Sequence, residues 1–149
     1  MQRLNLAALD QNQGGTKLSF FEHDNQQTTL DLGPKGAGPG DQFIYAGYLF
    51  DHAGGRQVGS TAGQCTTVSG NATAPGDVFC TATFVLGDGQ ITTQGLVDST
   101  ALFRSGKTLP MAIVGGTGRY QNARGEGTVQ VPPNVPNDAD ANFTINLTG

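Results

Sequence analysis

The sequence predicts an all-β protein, a single eight-stranded antiparallel barrel, on three observations. About eight short runs of alternating or β-rich residues recur along the chain. No segment carries a sustained helical period. Tight turns rich in Gly, Asn and Asp join consecutive runs, which favours neighbouring strands paired antiparallel. Closing such a sheet removes its exposed edges. Eight strands leave an interior that side chains fill or that holds one small ligand. A β-sandwich satisfies the same alternation.

The elements follow in order. Residues 1–16 form a loose polar arm, and residues 17–149 form the barrel domain. Residues 17–24 alternate as a strand, with Leu18, Phe20, Glu22 and Asp24 on one face and Ser19, Phe21 and His23 on the other. The Gly- and Pro-rich run 33–40 is a loop. Residues 41–50 form an aromatic-rich strand with Phe43, Tyr45, Tyr48 and Phe50. Strands follow at 57–68, 77–86 and 90–98, the last two joined by the hairpin turn Gly87-Asp88-Gly89. Residues 109–114, 126–131 and 142–147 complete the set. Pro132, Pro133 and Pro136 mark the loop before the last strand.

Composition excludes several roles. The chain has 149 residues, a one-domain length. Lys plus Arg number 8 against 12 Asp plus Glu, a net charge of -4, so the basic stripe of a nucleic-acid binder is missing. No apolar run is long enough to span a membrane as a helix. With His23 and His52 the only histidines, a histidine-based metal site is not expected, and no metal is assigned.

Glu22 and Asp24 are the candidate catalytic pair. Residues two apart on a strand face one side, and this side also carries Leu18 and Phe20. Carboxylates on an apolar stripe are costly if buried unpaired. Inside a barrel, desolvation and mutual repulsion raise at least one of their pKa values, giving an acid beside a base. Alternatively the polar end of the stripe lies solvated at the rim. Phe20, Phe43 and Tyr45 are candidate ligand contacts, since stacked rings suit a flat or polyunsaturated molecule, or else they fill the core.

Folding 60–68 and 78–86 into a hairpin can set Cys65 opposite Cys80. A cross-strand disulfide is then reasonable, the alternative being two small buried hydrophobes. A disulfide would imply an oxidising, extracytoplasmic location. The first residues are too short an apolar stretch for a signal peptide, so the chain is either cytoplasmic or lacks its leader.

The segment Ala112-Ile113-Val114-Gly115-Gly116-Thr117-Gly118-Arg119-Tyr120 with Ala123-Arg124-Gly125 resembles the signature of dirigent proteins and, more loosely, that of allene oxide cyclases. Phe20-Phe21-Glu22-His23-Asp24, Gly40-Asp41-Gln42-Phe43, Val58-Gly59-Ser60-Thr61-Ala62-Gly63-Gln64-Cys65 and Phe84 to Gly95 resemble further segments of these families, in the same order. The resemblance implies a small eight-stranded barrel, packed as a homotrimer and working without a cofactor. Glu22 stands on the functional glutamate of the cyclases. Asp24 stands where the cyclases carry asparagine and where dirigent proteins carry a pocket aspartate implicated in acid catalysis. The implied partner is a small hydrophobic organic ligand or reactive intermediate. Cyclisation, guided radical coupling and pericyclic ring closure all fit; a non-catalytic binding or structural barrel is the alternative.

Overall fold

A computed structural model describes residues 15–133 and 140–148. The expected arm lies outside them except for its last two positions, and the second of these, Thr16, already opens a strand. The strands are β1 (Thr16–Leu30), β2 (Gln42–Phe50), β3 (Gln57–Thr67), β4 (Asp77–Leu86), β5 (Gly89–Asp98), β6 (Leu109–Gly118), β7 (Gly125–Gln130) and β8 (Asp140–Leu147), with a single helical turn α1 (Ser99–Phe103) between β5 and β6. Each strand pairs antiparallel with the next and β8 pairs with β1, so the sheet closes into a barrel in chain order.

Three elements differ from expectation. β6 runs four residues past 114, because pairing with β5 continues past a register shift at Thr92/Thr93 through Gly115 to Gly118. β1 runs six residues further than the alternation suggests, because its register shifts at a bulge between Asp24 and Gln26 and pairing with β2 resumes through the polar segment ending at Leu30. α1 has five residues, too few for a period. Its start has a local cause: Asp98 accepts a hydrogen bond from the Ala101 amide at 2.8 Å.

The core fills the barrel from one end. Phe20 stacks on Phe84 with ring centroids 6.0 Å apart, and Phe84 meets Phe143 edge-on at 4.8 Å. Leu49, Ile91 and Ile145 are fully buried beside them. This plug lies toward the short turns, 51–56, 87–88 and 119–124. The longer connections, 31–41, 68–76 and 99–108, gather at the opposite end. Interior threonines are paired with main chain: Thr61 Oγ1 donates to the Thr83 carbonyl at 3.0 Å.

The Gly-Gly-Thr-Gly segment is structural. It ends β6 beside the β4–β5 turn. A Cβ on Gly116 would collide with the carbonyl oxygens of Gln90 and Tyr120, and Gly118 turns at φ 60°. Arg119 bonds Asp88 across this turn at 3.1 Å.

Candidate functional site

Alternation brings one residue in two of each strand into the barrel. On β1 this inward row is Phe20, Glu22 and Asp24; on β2 it is Phe43, Tyr45, Gly47 and Leu49. The register orders them by depth. Thr29 opposes Phe43 near the long-loop end, Asp24 opposes Gly47, and Glu22 opposes Leu49 just above the aromatic plug.

A cavity of about 50 Å³ lies between plug and mouth, lined by Glu22, Asp24, Phe43, Tyr45, Met111 and Phe143 together with aliphatic neighbours. This free space suits a water or two and not an organic ring system, so an organic ligand requires side-chain movement. Glu22 and Asp24 therefore reach the interior together, as the spacing indicates. Phe43 and Tyr45 are stacked at 5.7 Å on the wall. Phe20 does not line the cavity; it belongs to the plug beneath it. Leu102, Phe103, Met111 and Val97 line it without having been singled out in the sequence. No sequence signal separates them from the core, since apolar lining and apolar core read alike.

Glu22 is 2% exposed. Its carboxyl is pushed up to about 10, first by burial, then by a hydrogen bond to Asp24 and by the negative charges of Asp24 and Asp140. It is thus a neutral acid at pH 7. Glu22 Oε2 and Asp24 Oδ1 have no hydrogen-bond partner, while Asp24 Oδ2 accepts from Gln27 at 3.1 Å. Burial and these two carboxylates push the Tyr45 phenol up as well, leaving it a neutral donor. Two acids and a phenol therefore converge in an apolar chamber. His23 faces outward and bonds Asp140 at 2.7 Å, away from the pair.

Cys65 and Cys80 oppose each other on β3 and β4 and form a disulfide, with Cα atoms 4.0 Å apart. Both line the cavity, with Cys65 opposite Phe43. Among the described residues no group of three His, Cys, Asp or Glu is placed to hold a metal ion. No described helix is long and apolar enough to cross a membrane.

The family described as "Allene oxide cyclase barrel like domain" matches residues 21–144. No curated protein sequence matches the chain. A pyocyanin demethylase structure is similar with a TM-score of 0.72 and 28% identity, covering 89% of this chain and all of that one. A Diels–Alderase from Streptomyces koyangensis gives a TM-score of 0.73 and 25% identity over 89% of this chain, which spans 63% of that protein. A pterocarpan synthase dirigent protein shares the fold at a TM-score of 0.66 and 20% identity, covering 93% and 96% of the two chains.

Proposed function

The chain belongs to the allene oxide cyclase barrel like family, and from that premise we propose that it binds a hydrophobic, reactive small molecule and steers its conversion. One observation carries the reading: a neutral buried acid, Glu22, beside Asp24, each with an unpartnered oxygen, inside an apolar barrel. Bare buried polar oxygens are costly unless something bonds them. A ligand oxygen or nitrogen supplies that bond. Glu22 then donates its proton to the ligand and Asp24 accepts one as the new bond closes. Tyr45 and Phe43 orient the conjugated part, and confinement removes unproductive geometries. These groups need no cofactor. The similarity to a pyocyanin demethylase and a Diels–Alderase supports a conjugated or heteroaromatic substrate in secondary metabolism.

The test begins with mass spectrometry of small molecules retained after gentle purification. Any such molecule, and pyocyanin as a first defined compound, is then assayed with wild type, Glu22→Gln and Asp24→Asn. The reading expects retention of a conjugated molecule and at least tenfold slower conversion in one variant, a modest value for acid–base assistance. Equal rates and products in all three sink the acid–base role. The cavity of about 50 Å³ favours a second reading, a filled structural or carrier barrel, which predicts no conversion at all.

Two further expectations belong to this proposal. Ile44, Tyr48, Val85, Leu96 and Val114 expose apolar surface on the barrel's outer face, which supports a homotrimer. Light scattering at a single-chain mass overturns it. The disulfide supports an extracytoplasmic location.

A further inference from the structure

Asp24 and Gln27 stand three residues apart on β1, a spacing that sets side chains on opposite faces of a regular strand. Here they share a face. Asp24 pairs with Gly47 and Gln26 with the next residue of β2, Ala46, so Asn25 is an extra residue and β1 bulges. Past the bulge the alternation is inverted. Gln27 falls opposite Tyr45, on the inward row, and its Nε2 donates to Asp24 Oδ2 at 3.1 Å.

That bond divides the two oxygens of Asp24. Oδ2 is held by an amide, and Oδ1 is buried without a partner. An amide N–H only donates, and it binds an ionised carboxylate more strongly than a protonated one. The titratable groups that face the pair are Tyr45 from β2 and Asp140 from β8, the latter bonded to His23. The rest of the cavity wall is apolar apart from the bridged cysteines. Unlike these neighbours, Gln27 does not titrate, so its hydrogen bond favours one protonation pattern at every pH.

We propose that Gln27 is the positioning residue of the pair: from the far side of the bulge it fixes Asp24 as the proton acceptor, turns Oδ1 toward the ligand, and leaves the shared proton on Glu22. This rests on the reading of Glu22 and Asp24 as an acid–base pair. Gln27 touches no reacting atom; it acts through Asp24. The bulge is then part of the site, because one inserted residue turns an outward glutamine into the partner of an inward carboxylate.

Carboxyl-carbon magnetic resonance tests this. Signals of Glu22 and Asp24, assigned from the spectra of Glu22→Gln and Asp24→Asn, are followed from about pH 3 to 11 so as to bracket both groups. Wild type, Gln27→Leu and Gln27→Lys are compared, with circular dichroism confirming that each is folded. Wild type should titrate in two steps, the lower seen at Asp24 and the upper at Glu22. Gln27→Leu should raise the lower step by about half a pH unit, roughly threefold in the proton equilibrium. That is less than a bond to a buried charge gives, because Gln27 is exposed. Gln27→Lys restores a donor and adds a positive charge, so the step should return to the wild-type value or fall below it. A lower step unmoved by Gln27→Leu, or raised by both substitutions, overturns the positioning role, while an upper step still at Glu22 keeps the acid–base pair. If Glu22 of the wild type loses its proton in the ordinary carboxylate range, no shared proton exists to be assigned and both readings fall. Should Gln27→Leu not fold, Gln27→Ala removes the same donor and takes its place.

Discussion

Asp24 faces Gly47 across β1 and β2, and Asp24 Oδ1 lies against the space that a side chain at Gly47 would take. A Cβ there would sit 2.9 Å from Oδ1, 2.8 Å from Asp24 Cα and 2.5 Å from the His23 carbonyl oxygen. Backbone atoms cannot swing aside, so Gly47→Ala should push the two strands apart. The expected cost is about 2 kcal/mol, in the range of core overpacking. At this chain length that is roughly 4–8 °C in Tm. A thermal melt checks it; an unchanged midpoint refutes the close approach.

Glu22 governs how stability responds to pH. Its carboxyl titrates at 4.5 in an unperturbed chain and at about 10 in the fold. Between those values the folded state keeps a proton that the unfolded state has lost. Stability is therefore intact below 4.5 and declines as pH rises toward 10. From 4.5 to neutrality the loss is about 3 kcal/mol, at about 1.4 kcal/mol per unit. Glu22→Gln cannot ionise and should flatten the profile. Denaturant unfolding at about pH 5, 7 and 9 compares the two chains. Parallel curves would falsify a neutral Glu22.

Reduction of Cys65–Cys80 should weaken the fold without opening it. The bridge spans 15 positions, and a loop of that size constrains the unfolded chain by about 3 kcal/mol. β3 and β4 remain hydrogen-bonded from Gly59–Leu86 to Thr67–Val78. Far-ultraviolet circular dichroism should hold while Tm falls by roughly 6–12 °C. Loss of the β signal on reduction would show that the bridge, and not the ladder, holds these strands.

Two substitutions at the plug end separate core from surface. Phe84 is fully buried against Phe20 and Phe143, so Phe84→Ala should cost about 3–5 kcal/mol. Arg119 pairs with Asp88 at the exposed turn, so Arg119→Ala should cost at most about 1 kcal/mol. Comparable losses in chemical denaturation would contradict this division.

The strands were legible from period-two alternation and turn residues, but alternation alone fits a sandwich equally, and the ordered segments that resemble a known barrel family were what pointed to closure. Two features were not legible. The tail of β1 after Asp24 is Asn-, Gln- and Thr-rich, and it becomes strand only because β2 lies alongside it past the bulge. α1 is one turn long, and a single turn has no period to read. In the site, the spacing of Glu22 and Asp24 put both on one face, and closure of the sheet turns that face inward. Spacing carries no information about depth, however. Phe20 shares that face yet sits one step lower, among the rings that close the barrel. Phe103 and Met111 lie on α1 and β6, far along the chain from β1, and only closure brings them to the chamber that holds Glu22 and Asp24.

The two sulfurs face the chamber itself. A pocket that shelters an electrophile endangers its own nucleophiles, and a thiolate is the most reactive of these. Joined to each other, Cys65 and Cys80 offer no free thiol to alkylation. Under the proposed function the bridge would do more than cross-link β3 and β4: it would keep a barrel that holds a reactive molecule from being alkylated by it.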